Sequence, residues 1–302
     1  MIKHIKKFIP WHPRALFHSL LTYPRFLGRI KPEFLRMREE EVQARLSSLH
    51  FCWEPKCLEA PLGRRLLVLA PHPDDETIGV GGTLLAHRGK SEVHIINLFD
   101  GSGGGQLAGL AWQDQAEYRA ALVRERRREL AEAGKRLGVS SIQHLDLQDG
   151  LSQPSRENAE KLRSAIASVD PDVVLLPWFL VRQRDHRVTN ILFGWACADL
   201  KCMVLGFEGW LLCQPNGIFD ITHYLEEKLE IVKLYETQLA TVDYLAYTRG
   251  LAATRAFLHP IKSRRVGAVE GFFSLPCRDY CDIVMSFYGA PGHLNPVLRS
   301  LI

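Results

Sequence analysis

From Gly63 onward, short apolar runs alternate with longer stretches of mixed polarity. Arg65-Leu-Leu-Val-Leu-Ala70, Val93-His-Ile-Ile-Asn-Leu-Phe99, Ile142–Leu147 and Val173-Val-Leu-Leu176 are short and rich in Val, Ile and Leu, which predicts buried strands. The intervening segments 79–88, 114–137, 157–168 and 188–200 read as helices, and Gly138 supplies a stop signal after the second. Strands alternating with helices imply βαβ units and an α/β fold, with a mostly parallel, doubly wound sheet flanked by helices. Ligands of such sheets lie beyond the carboxyl ends of the strands. Candidate chemistry is therefore sought in the segments that follow each strand.

The first fifty residues have a different character. Phe8, Trp11, Phe17, Tyr23 and Phe26 are interleaved with seven Lys and Arg in residues 1–32, where no acid occurs. The whole chain is +4, so residues 33–302 carry 4 − 7 = −3. Residues 1–62 are expected to form a basic, aromatic, helical N-terminal extension, and 63–302 the main domain. Basic plus aromatic composition suits peripheral contact with an anionic membrane face through residues 1–50. A helical arm packed on the domain or on a partner subunit is the alternative. The basic start lacks an uninterrupted apolar stretch, because Pro10, His12, Pro13 and Arg14 break it, so cytoplasmic residence is expected.

Composition narrows the class further. Hydrophobic residues make up 46% and charged residues 24% of 302 residues, which excludes a disordered or collagen-like chain and leaves material for one large core. The small net charge gives no bulk attraction for nucleic acid. Seven cysteines without a C-x-x-C pair predict reduced thiols rather than a zinc ribbon.

The strand at 65–70 runs straight into Pro71-His72-Pro73-Asp74-Asp75-Glu76. Imidazole and carboxylate together suit zinc, and Pro73 stiffens the loop. Adjacent Asp side chains diverge, so one can take a metal while the other faces water. A catalytic zinc needs a third protein ligand and an open position. The strand at 173–176 is followed by Arg184-Asp185-His186-Arg187, and in a parallel sheet both segments reach the same edge.

Leu67-Val-Leu-Ala-Pro-His-Pro-Asp-Asp-Glu76 resembles the signature of the PIG-L/LmbE-type deacetylases, zinc-dependent enzymes that remove acetyl from N-acetylglucosamine units. The resemblance spans roughly 64–275. It continues through Phe99-Asp100-Gly101 with Gly103–Gly105, Arg126-x-x-Glu129 with Leu137-Gly138-Val139, Asp149-Gly150-Leu151 and Asp185-His186-Arg187. Further on it includes Asp220-Ile-Thr222, Lys228, Gln238 and Val269-Glu270-Gly271-Phe272. It implies a Rossmann-like fold, His72, Asp75 and His186 as ligands of one Zn2+, and Asp74 as general base. Arg126 and Asp149 are implied as contacts to an N-acetylated sugar or glycolipid substrate. Two imidazoles and one carboxylate also suit iron(II).

One departure bears on the chemistry. The family usually has His-x-Asp-His at the second motif, with Asp two residues earlier; here these positions are Gln183 and Val181. Gln183 can donate a hydrogen bond to an oxyanion but cannot act as an acid. Asp74 shuttling the proton both ways, His223 or His259 standing in, and weakened catalysis are the alternatives. Gly79–Gly82 and Gly101–Gln106 both lack the third glycine of a dinucleotide fingerprint, and no P-loop or G-x-S-x-G elbow occurs. An oxidoreductase, kinase or serine hydrolase is thereby disfavoured. The readings left are a zinc-dependent N-deacetylase and a non-catalytic metal- or sugar-binding protein of the same fold.

Overall fold

The computed structural model describes residues 55–105, 112–259, 267–291 and 293–294. The basic, aromatic arm expected at 1–50 lies outside the described residues. Apolar runs of strand length form β1 (Lys56–Leu58), β2 (Arg65–Ala70), β3 (Glu92–Phe99), β4 (Ser141–Leu147) and β5 (Val173–Pro177). They are followed by β6 (Met203–Phe207), β7 (Gly217–Asp220) and β8 (Val269–Pro276). The helices are α1 (Asp75–His87), α2 (Trp112–Leu137), α3 (Arg156–Val169), α4 (Arg184–Ala196), α5 (Leu225–Val232), α6 (Glu236–Leu239), α7 (Tyr244–Leu258) and α8 (Cys277–Tyr288). A two-stranded antiparallel pair, β9 (Gly289–Ala290) and β10 (His293–Leu294), follows α8.

The main sheet has the order β1-β7-β8-β6-β5-β2-β3-β4. β6, β5, β2, β3 and β4 are parallel, and β8 runs antiparallel to β6 and β7. The sheet is thus the mostly parallel α/β arrangement that the alternation predicts. It begins inside the segment 1–62, because β1 pairs in parallel with β7. From β2 the chain proceeds outward through β3 and β4, then returns to the other side of β2 for β5 and β6. This reversal opens a crevice between the carboxyl ends of β2 and β5, where doubly wound sheets hold their ligands.

Packing makes that edge rigid. Leu66, Val68 and Ala70 join Val80 and Leu84 of α1 and Leu130 and Ala133 of α2 in one core cluster. Leu67 and Leu69, alternating with them, are also fully buried, so helices cover both faces. Every residue of α1 is buried. A Cβ at Gly79 would fall 2.4 Å from the Phe207 ring, and one at Gly82 2.6 Å from Ile221. These glycines let the helix lie close to its neighbours and cradle no nucleotide. The buried Lys228–Glu270 ion pair (2.7 Å) braces the same helix. Lys228 Nζ donates to the Ile78 carbonyl, while Glu270 accepts from the Gly82 and Thr83 N–H groups.

Two helix starts differ from the sequence expectation. α1 begins at Asp75 rather than 79, and α4 at Arg184 rather than 188, ending at 196 rather than 200. The acidic residues Asp75, Glu76 and Asp185 occupy first turns, where the positive end of the helix dipole favours them. The two chemistry-bearing motifs are therefore partly helical N-termini and not only loops. All six cysteines among the described residues are free thiols. No helix of the described residues is long and apolar enough to cross a membrane.

Candidate active site

The tight junction between β2 and α1 aims its side chains through backbone geometry. Asp74, the residue before α1, has φ 134°, a region costly for a residue with a Cβ. Its carbonyl accepts from Thr77 and Ile78 N–H, but its carboxylate makes no capping hydrogen bond. The Glu76 carboxylate takes the Asp74 N–H instead, and itself accepts from Thr77 Oγ1 (2.6 Å) and the Tyr235 hydroxyl. The buried Asp74 carboxylate is met instead by the Arg126 guanidinium. Burial pushes its carboxyl up to about 8; the Arg126 guanidinium opposes the rise and Asp75 reinforces it.

Arg126, in α2, is buried beneath this junction. Its Nη2 lies 3.3 Å from Asp74 Oδ2 and donates to the Pro73 carbonyl at 2.9 Å, while Nη1 donates to the Gly101 carbonyl at 3.1 Å. Gly101 has φ 75°, and a Cβ there would stand 2.9 Å from Arg126 Nη1, so the turn after β3 needs glycine on both counts. The side chain for which the resemblance implies a sugar contact is thus engaged with the Asp74 loop.

The second junction delivers His186 from the first turn of α4. Its Nε2 lies 3.1 Å from Asp75 Oδ2, and the ring centroids of His72 and His186 are 5.5 Å apart. One ligand atom each from His72, Asp75 and His186 lies within 4.8 Å of the others. Both His186 ring nitrogens are buried without a hydrogen-bond partner, since the approach to Asp75 lacks hydrogen-bond alignment. A buried imidazole with a nitrogen free of hydrogen bonds, facing a carboxylate and a second imidazole, fits a divalent-cation site of the zinc type, which takes one nitrogen from each histidine. Burial raises the Asp75 carboxyl, but the His186 and His72 imidazoles outweigh it and hold the group well below the carboxylate range.

His72 has a carboxylate facing each ring nitrogen. Nδ1 lies 3.4 Å from Asp75 Oδ2, and Nε2 lies 3.2 Å from Asp185 Oδ2 and 3.5 Å from Asp149 Oδ1. Burial depresses the His72 pKa, yet hydrogen bonds to Asp149, Asp185 and Asp75 carry it well above the ordinary value. Asp149 is also raised by burial, and His72 reverses this to hold it below the carboxylate range. Asp185 accepts from Gly150 N–H (2.8 Å) and Arg184 Nη1 (3.0 Å), tying the loop after β4 to α4. His72, Asp149 and Asp185 form a second His/carboxylate group sharing the same imidazole.

The remaining expectations fall outside this cluster. Gln183 is the N-cap residue of α4, and its Oε1 is buried without a partner. His223 is exposed, and His259 ends α7 with Nε2 3.4 Å from Arg255 Nη1. Among the described residues neither histidine contacts the cluster. Sequence reasoning missed the part played by Asp185, although it adjoins His186. It also missed Tyr244, which packs on Ile78 and whose phenol is pushed up by burial, with smaller effects from Asp74 and Asp75. No local sequence signal marks Tyr244, because it arrives from the distant α7.

A cleft of about 590 Å³ opens beside Asp149. Gly103, Gln115, Ala116, Arg119, Gln148, Asp149, Gly150 and Leu151 line it.

Comparison with known proteins follows the same stretch of chain. Residues 67–196 match the family model described as PIG-L, GlcNAc-PI de-N-acetylase. Diacetylchitobiose deacetylase of Thermococcus kodakarensis is 28% identical over 195 residues, covering 58% of this chain and 70% of that protein. The structure of N,N'-diacetylchitobiose deacetylase from Pyrococcus horikoshii superposes with a TM-score of 0.60 at 24% identity, over 80% of this chain and 90% of that one. GalB, the 4-carboxy-2-hydroxymuconate hydratase of Pseudomonas putida KT2440, gives 0.56 at 18% identity, over 70% and 96%. At these identities the two structures share the fold alone, and the fold carries more than one chemistry. The matched span holds both junctions and all three members of the His72–Asp75–His186 group, so the likeness to the PIG-L family model rests on the stretch that carries the candidate site.

Proposed function

We propose that the protein is a metal-dependent hydrolase removing the N-acetyl group from an N-acetylglucosamine-type sugar in glycoconjugate or polysaccharide biosynthesis. The convergence of His72, Asp75 and His186 from two separate strand ends, with both His186 nitrogens left without hydrogen bonds, carries the reading. These three residues would hold one divalent cation, zinc by donor type. When bound, such a cation supplies Lewis-acid chemistry, polarising an amide carbonyl and acidifying water.

The remaining work belongs to the chain. Asp74 is the carboxylate next to the group that does not belong to it, and it would take a proton from attacking water and deliver it to the departing nitrogen. That delivery is needed because an unprotonated amide nitrogen is a very poor leaving group. Arg126 holds Asp74 in place and stabilises its charged form. Asp149 and Asp185 orient the His72 ring. Gln183, at the start of α4, is the candidate to donate its amide N–H to the carbonyl oxygen as charge develops there.

The test is acetate release by zinc-loaded protein from free, nucleotide-linked and lipid-linked N-acetylhexosamines. Release from at least one, abolished in Asp74→Asn with zinc retained, supports the proposal. Stoichiometric zinc with no release from any would favour the non-catalytic binding protein. Membrane contact through residues 1–50 is part of the same proposal. Deleting them should release the protein from anionic liposomes, and unchanged binding would remove that element.

A further inference from the structure

We propose that Tyr235 is a positioning residue for Asp74: its hydroxyl fixes the Glu76 carboxylate, and Glu76 fixes the backbone that aims Asp74. This rests on the deacetylase reading and deepens it by a residue that meets neither cation nor substrate. Asp74 needs such support, because its φ of 134° is costly for a residue with a Cβ. Its N–H donates to Glu76 Oε2 at 3.2 Å, and its carbonyl accepts from the Thr77 N–H (3.0 Å) and the Ile78 N–H (2.9 Å). Release of the Asp74 N–H would let the peptide before it turn, and the carboxylate would swing with it.

Glu76 can hold Asp74 only if it is itself held. It is fully buried, and among the described residues no cationic side chain lies at ion-pair distance from it. Neutral donors fix it instead: the Asp74 N–H on Oε2, and Thr77 Oγ1 (2.6 Å) with the Tyr235 hydroxyl on Oε1. Asp74 and Thr77 belong to the same turn and move with it. Tyr235 is the donor that ties Glu76 to a distant part of the fold, across 159 positions of sequence. Its ring is buried in the main core. Its N–H donates to the Val232 carbonyl (3.1 Å), and its carbonyl accepts from the Gln238 and Leu239 N–H groups (3.0 Å each), so the reach of the phenol is fixed. The next helix, α6, is fastened to α2, where Glu129 accepts from the Thr237 N–H (2.8 Å) and Thr237 Oγ1 (2.7 Å). Glu129 stands three residues after Arg126 and so shares its face of α2. Arg126-x-x-Glu129 thereby grips the Asp74 loop from two sides. Arg126 does so directly at the Pro73 carbonyl, and Glu129 does so through α6, Tyr235 and Glu76.

The test uses the full-length, zinc-loaded protein with methyl N-acetylglucosaminide as substrate. Tyr235→Phe keeps the ring and removes the hydroxyl. It should lower kcat about 10–100-fold, with KM changed less than about threefold and zinc still at one equivalent. In an Asp74→Asn background the same substitution should change kcat less than about twofold, because the group it positions is gone. Equal losses in the two backgrounds would overturn the proposal, and so would loss of zinc together with activity. Amide hydrogen exchange gives a readout that needs no turnover. The Asp74 N–H should exchange at least about tenfold faster in Tyr235→Phe than in wild type, while Leu67 and Val68 of β2 stay protected. Unchanged exchange at Asp74, or faster exchange throughout β2, would overturn the proposal. Thr237→Val cuts the tie to Glu129 one step farther away and should give the same pattern at about 2–5-fold in kcat. If wild type releases no acetate while Asp74 exchange still depends on Tyr235, the brace stands and the deacetylase reading falls.

Discussion

The two strand-to-helix junctions that build the site are braced to different degrees. At the β2–α1 junction, Asp74 is held at positive φ, Arg126 fastens the Pro73 carbonyl, and Glu76 binds Tyr235 and Thr77. At the β5–α4 junction, Asp185 is well bonded, but His186 has no hydrogen bond at either ring nitrogen and Gln183 Oε1 has no partner. The first junction is completed by the protein's own contacts. The second leaves its reactive atoms to something the chain does not supply. In the proposed mechanism this division would hold Asp74 independently of the cation, with the last interactions of the site gained when the cation binds.

The comparison breaks most visibly at Asp74. Asp74→Asn should lower kcat about 10²–10⁴-fold while zinc content, measured by elemental analysis, stays at one equivalent. Loss of zinc with activity would mean that Asp74 is a ligand and that the junctions are not separable. Arg126→Leu should cost about 1–3 kcal/mol in denaturant unfolding, because it removes the buried donor to the Pro73 and Gly101 carbonyls. A destabilisation below about 1 kcal/mol would show that the brace is unimportant.

Asp185→Asn touches the link between the two regions. It should weaken zinc affinity about 10–100-fold in a chelator competition through the His72 ring, leaving unfolding little changed. The metal-free protein should also respond to pH. Asp74 rises from its ordinary 3.8 to about 8 on folding, so the folded state binds the proton more tightly. This contribution to stability is present below about pH 4 and lost as pH rises toward 8, with a slope of up to about 1.4 kcal/mol per unit. Asp74→Asn should flatten that part of the pH profile. Gln183→Leu should have the smallest effect, about 2–10-fold in kcat, the worth of one hydrogen bond. No change there would remove Gln183 from the proposed carbonyl contact.

Much of this organisation is legible in the sequence. β2 and β5 read as strands because short apolar runs without helical period have few other solutions, and their parallel alignment follows from the intervening helices. That alignment brings His72 and His186 to one edge. The helix starts are less legible, because the reading at 79–88 treats glycines as openers, whereas the acids at 75 and 76 mark the first turn. The Arg126–Asp74 pair links residues 52 apart, and Tyr244 reaches the site from α7. Tertiary packing decides both, and no local pattern in residues 120–130 or 240–248 announces either. Asp185 shows a narrower miss: its residue type invites a ligand role, while its bonds to Gly150 N–H and Arg184 reveal a brace.

The X-ray absorption spectrum of the zinc-loaded protein tests the central claim most directly. The account predicts two imidazole nitrogens at about 2.0–2.1 Å, oxygen completing the shell and no sulfur. A single imidazole, or a sulfur contribution near about 2.3 Å, would place the cation elsewhere and contradict the account.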